Sequence, residues 1–388
     1  MQGRILVLNA GSTSLKFALL RRDLSRQLSG QLAGIGSEPT LAAKGADGPL
    51  PTDGWNADRA SDVHGLIAAL IGWIEGHLGP GGLIGIGHRV ATGGLENAEH
   101  CLIDGPELER LKASVPLAPL HQPRNIEPIE ALIRLHPHLP QVACFDTAFH
   151  RGLPPVASSY GLPRALTAEG ARRYGYHGLS YEYVSRRLAR LDPRAASGRV
   201  VIAHLGGGAS LCALKDGVNV GTTMGFSPLS GLMMATRPGE LDAGLVLWLL
   251  RRGMSADEIE ALLYGEAGLK GVSGLTGDMK TLLESGALEA RDAVELYLRR
   301  LTLELGGLIA VLGGLDTLVF TAGIGEHAAP IRSAVAEAFG WLGLRLGEDT
   351  GNGERCISAT DSKVSAWVIP TDEELIVARH TARLIAKE

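Results

Sequence analysis

The stretch Val7-Leu8-Asn9-Ala10-Gly11-Ser12-Thr13-Ser14-Leu15-Lys16-Phe17 sets an amide, a glycine, three hydroxyls and an ammonium between two apolar runs. The apolar runs read as sheet strands, and the polar residues fall where the chain must reverse. Backbone amides freed by Gly11, the hydroxyls and Lys16 together make an anion cradle, and a phosphate chain is the commonest anion that rewards one. A plain hairpin turn whose polar residues satisfy each other accounts for the same letters. The stretch alone leaves both readings open.

A repeat favours the cradle. Residues 5–20 align without gaps on residues 201–216, with Ser14-Leu15 over Ser210-Leu211 and Gly11 over Gly207, an offset of 196. Each half of the chain therefore opens with the same kind of hairpin, and two such hairpins facing across a cleft grip a polyphosphate from both sides. A third piece, Phe320-Thr321-Ala322-Gly323-Ile324-Gly325-Glu326, reads as a strand running into a Gly-x-Gly turn suited to backbone contact with a nucleotide. Each piece is weak by itself; their order is not.

At 388 residues the chain has room for two domains. A net charge of −5 without a basic block argues against a nucleic-acid binder. Cys101, Cys144, Cys212 and Cys356 show neither metal-ligand spacing nor a disulfide framework, which suits a reducing cytoplasm. The longest charge-free apolar run, Leu305 to Leu315, is far short of a membrane span, so a soluble protein is expected.

Strand-like runs at RILVLNA, LIGIGHRV, QVACFDT, RVVIAHL, DTLVFTAG and KVSAWVIP alternate with helical periods, the pattern of α/β layers. Val63, Leu66, Ile67, Leu70, Ile71, Ile74 and Leu78 predict one helix behind a Ser61-Asp62 cap. A second runs from about Arg291 to Leu312, its tail loosened by Gly306-Gly307. The Pro/Gly/Ser-rich passage after residue 150 reads as a crossing, dividing the chain into 1–149 and 150–374, with 375–388 a helix returning to the first part.

The duplicated-hairpin plan resembles the actin-like ATPase superfamily. The ordered series NAGSTSLKF, GHRVATGG, PLAPLHQP, CFDTAFH, RRYGYHGLS, AHLGGGAS, MGFSPLSGLMMATRPG, GVSGLTGD, FTAGIGE and VIPTDEEL is similar to that of the acetate kinases over essentially the whole chain. The resemblance implies an α/β two-domain actin-like (ribonuclease H-like) fold with a duplicated βββαβαβα core and a cleft. It also implies phosphoryl transfer between ATP and a short carboxylate, a homodimer, and Mg²⁺ or Mn²⁺ as the cation. An ATP-driven binding switch and an inactive nucleotide-binding relative are the readings from other classes.

A carboxylate acceptor is already ionised and needs no general base, so two arginines are expected to hold the two anions together. Arg89 and Arg237, both read in loops, take that role by similarity. His177 is expected to donate to the transferring phosphoryl group, with His121 and His204 near its path. Asp146 and Glu373, read as coming from different domains, converge on one cation, and Asn9 joins Glu373 at the metal. Resemblance places Ala91, Leu120, Tyr176 and Pro228 around the acyl methyl group. It places Ser14, Lys16, His204, Leu205, Gly206, Gly207, Gly208, Asp278, Met279, Lys280, Gly323, Ile324, Gly325 and His327 along the phosphates and nucleotide.

Several positions depart from the family pattern. Ala91 stands for the usual Val and leaves room for one more methylene, worth about 1–3 kcal/mol in discrimination, which makes propionate (or butyrate) the alternative substrate. Tyr176 stands for Phe, and its added hydroxyl either refills that room or reaches the carboxylate. Gly207 and His327 stand for Asn, Lys280 for Arg, Gln122 for Asn, Leu179 for Thr and Tyr181 for His.

Overall fold

The structure, a computed structural model, describes residues 3–11, 14–52, 55, 63–95, 99–118, 121–193 and 197–387. The chain divides into two compact units, Met1–Ala148 with Asp372–Glu388, and Phe149–Thr371. The Ser61-Asp62 cap and the tip of the first hairpin, Ser12-Thr13, lie outside the described residues.

Unit 1 is built on β1 (Arg4–Ala10), β2 (Ser14–Arg21), β3 (Arg26–Ala33), β4 (Thr40–Gly45), β5 (Gly48–Pro49), β6 (Leu83–Val90), β7 (Cys101–Leu102) and β8 (Gln141–Phe145). They form one sheet in the order β5-β4-β3-β2-β1-β6-β8-β7. Strands β1 to β5 pair antiparallel, β1, β6 and β8 run parallel, and β7 is an antiparallel edge.

Unit 2 carries β9 (Arg199–Leu205), β10 (Ala209–Lys215), β11 (Val218–Thr222), β12 (Thr317–Thr321), β13 (Arg355–Cys356) and β14 (Ser365–Val368), in the order β11-β10-β9-β12-β14-β13. The core series β3-β2-β1-β6-β8 thus recurs as β11-β10-β9-β12-β14, with the same antiparallel and parallel senses. This is the duplicated core expected from the sequence, with one correction. Ala10 faces Leu15 across four residues, whereas Leu205 faces Ala209 across three. A common ungapped offset cannot superimpose both hairpins, because one loop residue moves the whole return strand by one and turns its faces over. With Asn9 matched to His204, the residue facing Asn9 is Lys16 and the residue facing His204 is Ser210, so Ser14 is not the counterpart of Ser210.

In unit 1 the helix Val63–Glu75 buries Leu66, Ile67, Leu70, Ile71 and Ile74 against Leu6, Leu8 and Ile86. The helix Glu373–Ile385 covers the opposite face, and two glycines in β6 set how closely it lies. A Cβ on Gly87 would stand 2.3 Å from Thr381 Oγ1 and 2.6 Å from Val377 Cγ1, and one on Gly85 would stand 3.3 Å from Ile385 Cδ1. A larger residue at 87 would push the helix off the sheet.

Unit 2 has the same layering. The helix Leu288–Leu312 runs unbroken through Gly306-Gly307 to a left-handed Gly313, and buries Ala293, Tyr297, Leu301, Leu305 and Ile309 on one face of the sheet. The helix Gly178–Leu191 buries Tyr181, Val184 and Leu188 on the other, against Val200, Ile202, Cys212 and Val319. No helix among the described residues is long and apolar enough to cross a membrane.

Candidate active site

The strand register of unit 1 lines up three of the expected residues. Asn9 faces Lys16 in β2 and Arg89 in β6, so Lys16, Asn9 and Arg89 form a row at the carboxyl end of β1 and β6. Arg89 lies inside β6, not in a loop as the sequence suggested. Asp146 follows β8 directly, its N–H donating to Val90 O at 3.0 Å, and its carboxylate takes Arg89 Nη2 in a short ion pair. Glu373 is the first residue of the final helix, and Asn9 Nδ2 lies 3.5 Å from Glu373 Oε2. Asp146 and Glu373 therefore come from the same unit, correcting the expectation of two domains; Gly85 and Gly87 let the body of that helix lie close on β6.

Burial pushes the Glu373 carboxyl up to about 7, the neighbouring Asp146 adds to the rise, and Arg89 opposes it. Burial also raises Asp146 against the pull of Arg89. For Arg89 burial works against the charge, but Asp146 and Glu373 outweigh it and hold the guanidinium above its ordinary value. Two polar atoms in this group, Asp146 Oδ1 and Arg89 Nε, are buried without a hydrogen-bond partner among the described residues. An orphaned carboxylate oxygen near a second carboxylate and an amide is a donor set that suits a hard divalent cation.

Unit 2 holds a different kind of site. His177 caps the helix Gly178–Leu191 with a left-handed φ of 59°, a strained conformation for a residue with a Cβ. Its ring stacks on His204 with centroids 4.1 Å apart and planes at 16°. His177 Nδ1 lies 2.8 Å from Ser210 Oγ, and His204 Nδ1 lies 2.8 Å from Ser180 Oγ. The Nε2 atoms turn toward Gly206-Gly207-Gly208: a Cβ on Gly208 would stand 3.2 Å from His177 Nε2, and one on Gly206 4.0 Å from His204 Nε2. Arg237 lies in a loop, as expected, donates from Nη1 to Pro228 O at 3.1 Å, and sits on the same side of Gly208. A Cβ on Gly207 would meet nothing within 4 Å, so the backbone does not require glycine there.

The other expected residues are placed as follows. The buried Ala91 donates its N–H to Asn125 Oδ1 at 2.9 Å, and Asn125 Nδ2 reaches Ala10 O at 3.1 Å. His121 precedes the helix Gln122–Leu135, and Gln122 is buried and donates to Thr92 O at 3.0 Å. Tyr176 is buried and its hydroxyl donates to Phe226 O at 3.0 Å, so that hydroxyl is tied to the loop leading to the buried Pro228. Leu120 lies outside the described residues. Ser14 closes the first turn by accepting from Gly11 N at 2.7 Å, and Lys16 is exposed. Leu205 ends β9 in the core.

Asp278 caps the helix Met279–Glu284 by accepting from Thr281 N at 2.9 Å; Met279 is buried in the core and Lys280 is exposed. Gly323-Ile324-Gly325 is not a turn: β12 runs straight into a helix, Ala322–His327. Gly325 lies 3.6 Å, at its missing Cβ, from Ala203 O, so its smallness packs that helix on β9, while Gly323 and His327 face solvent.

Sequence reasoning missed Asn125, which no periodic signal distinguishes from an ordinary helical polar residue, and Gly85 and Gly87, which announce themselves only through the helix above them. Tyr181 was visible only as a departure from the family pattern, not as the third member of a chain with Ser210 and His177.

The chain is 50% identical to an acetate kinase of Rhodopseudomonas palustris, with 99% of each chain covered, and 46% identical to one of Rhizobium meliloti, with 98% of each covered. Among solved structures it is similar to a propionate kinase from Francisella tularensis (TM-score 0.89, 34% identity, 98% of this chain and 100% of that one). An acetate kinase from Porphyromonas gingivalis is also similar (TM-score 0.85, 31% identity, 99% and 100%), so the fold is the α/β fold of these kinases. The acetokinase family model matches residues 4–379, and the chain belongs to that family.

Proposed function

We propose that the protein transfers the γ-phosphoryl group of ATP to acetate, giving acetyl phosphate and ADP, reversibly and by direct in-line displacement. The observation that carries this reading is the pairing, in one chain, of a charged Arg89–Asp146–Glu373 group with imidazoles presented at a glycine turn. The first suits an ionised acceptor and a cation; the second suits phosphoryl oxygens.

Arg89 holds the acceptor carboxylate, and its remaining unpartnered Nε is available for it. Arg237 and His177 donate to the phosphoryl oxygens, where developing charge makes each donor count most. His204 and the Gly206–Gly208 amides bind the phosphate chain, with Lys16 and Ser14 on the first hairpin adding an ammonium and a hydroxyl. His121 supports the transition state. Asp278, Lys280, the helix at Gly323–His327 and its exposed Gly323 edge serve the nucleoside.

Mg²⁺ or Mn²⁺ would be held by Asn9 and Glu373 with Asp146, whose unpartnered Oδ1 fits a cation. When bound, the cation neutralises phosphate charge as it moves between donor and acceptor.

Propionate is the second acceptor: Ala91 presents only a methyl group, and a solved structure similar to this chain at 34% identity is that of a propionate kinase. We also propose a homodimer through unit 2. The helix Ala243–Arg251 buries none of its residues although Leu245, Leu247, Trp248 and Leu250 are exposed, a patch that a second copy would cover. Four free thiols fit a cytoplasmic protein.

The test is hydroxamate trapping with ATP and Mg²⁺, offering acetate, propionate and butyrate in parallel and comparing kcat/KM. Acyl hydroxamate from acetate at the highest kcat/KM is the expected result. No product from any of the three, with ATP still bound, would sink the reading.

A further inference from the structure

We infer that Tyr181, acting through Ser210, keeps the ring proton of a neutral His177 on Nε2, aimed at the Gly206–Gly208 turn. Tyr181 and Ser210 are then positioning residues for phosphoryl transfer, an inference that rests on the role given to His177 above.

Tyr181 Oη lies 2.5 Å from Ser210 Oγ, which lies 2.8 Å from His177 Nδ1. Tyr181 and Ser210 are both fully buried. The phenol ring is enclosed by Val184, Leu188, Ile202 and Cys212, and the rings of Phe149, His150 and His204 stand close to it. Among the described residues, Ser210 is the one hydrogen-bond partner of the Tyr181 hydroxyl.

The protons can then be counted. If His177 donated from Nδ1 to Ser210, two arrangements would follow. Either Ser210 donates on to Tyr181 and strands the phenol proton among apolar side chains, or Tyr181 donates to Ser210 and strands the serine proton. An imidazolium, which also carries a proton on Nδ1, strands a hydroxyl proton in the same way. The direction that engages both hydroxyl protons runs from Tyr181 to Ser210 to His177 Nδ1. A phenol is also the stronger acid of the two hydroxyls and the better donor; burial raises its pKa further, so it keeps its proton throughout the working range.

The remaining ring proton must then sit on Nε2, the atom 3.2 Å from where a Cβ on Gly208 would stand. The Nδ1 bond to Ser210 and the stack on His204 hold the ring in that direction. The imidazole thus serves as a donor without carrying charge, and needs no reorganisation when phosphoryl oxygens arrive.

The test uses the full chain labelled with ¹⁵N-histidine, the His177 signals being identified by their loss in His177→Gln. Heteronuclear NMR is expected to show an Nε2-protonated neutral ring at pH 7.5 in the unsubstituted protein. Tyr181→Phe, which keeps the ring and its packing, is expected to bring in the Nδ1-protonated form. It should also lower kcat about tenfold while leaving KM for both substrates within about twofold, as loss of a donor felt only in the transition state would. An Nδ1-protonated ring or an imidazolium in the unsubstituted protein overturns the inference without any variant. Tyr181→Phe with unchanged tautomer and kcat overturns the part given to Tyr181. An Nε2-protonated ring in a protein that makes no acyl phosphate would instead refute the proposed function and leave the proton placement standing.

Discussion

Asn9 and His204 occupy corresponding places near the ends of the first strands of the two sheets, and each is met by the start of a helix, Glu373–Ile385 in one unit and Gly178–Leu191 in the other. The scaffold is shared but the polar strategy is opposite. Around Asn9 the side chains are charged, with an arginine, two carboxylates and two buried polar atoms that lack a partner among the described residues. Around His204 they are mainly hydroxyls and imidazoles, linked along Tyr181, Ser210 and His177, and the one buried hydroxyl without a partner there among the described residues is that of Thr321, which faces His204 in β12. An incompletely satisfied charged group is stabilised by what binds to it, whereas a satisfied neutral one is rigid beforehand. The charged group around Asn9 thus carries its unmet bonds on ionised side chains, whereas the group around His204 carries its one unmet bond on a hydroxyl.

The strongest way to break this contrast is Arg89→Ala. Steady-state kinetics should show kcat/KM falling by about a thousandfold, roughly 4 kcal/mol, because the acceptor loses its counter-charge. The variant should still fold, since Asp146 and Glu373 can take up protons when the guanidinium is gone. Activity within tenfold of normal would mean that the charged group is not where the acceptor binds.

The next test reads the charged site through stability. Glu373 releases its proton near pH 4.5 in the unfolded chain and at about 7 in the folded one. Between those values the folded state binds more protons, so stability falls as pH rises, by up to about 1.4 kcal/mol per pH unit. Urea unfolding with a chelator present, compared between pH 5 and pH 7, should show this slope, and Glu373→Gln should flatten it.

His177→Ala probes the neutral site and should cost about a hundredfold in kcat, roughly 2.7 kcal/mol, with the melting temperature nearly unmoved. A loss of fold as large as the loss of rate would show that the hydroxyl–imidazole chain serves packing more than donation. The smallest expected change comes from Ala91→Val, which should raise the acetate-to-propionate ratio of kcat/KM about tenfold. An unchanged ratio would remove Ala91 from the acyl pocket.

How much of this was legible in the sequence depended on how local the cause was. The strands RILVLNA, LIGIGHRV and RVVIAHL could be read because burial periodicity is a short-range signal, and they appear as β1, β6 and β9 to the residue. The alternation also announced two similar halves. The one-residue difference between the hairpin loops was hidden, because register depends on which residues face each other across strands. Gly323-Ile324-Gly325 misled for a related reason: two glycines signal a turn by propensity, but here Gly325 is spent on close packing of a helix against β9. At the candidate site, Arg89, Asp146 and Glu373 could be named from motif order, but their shared unit follows from a helix docking on Gly85 and Gly87, more than 280 residues away in sequence.

That docking also sets an order of assembly. Unit 2 is one uninterrupted segment, 149–371, whereas unit 1 needs Thr381 and Val377 against Gly87 before its second face is covered. On a ribosome, every strand of the first sheet emerges long before the helix that completes it, and long-range closures of this kind come late in folding. The second face of the first sheet is therefore closed only after the final helix has been made, and the carboxylate of Glu373 reaches Arg89 only then.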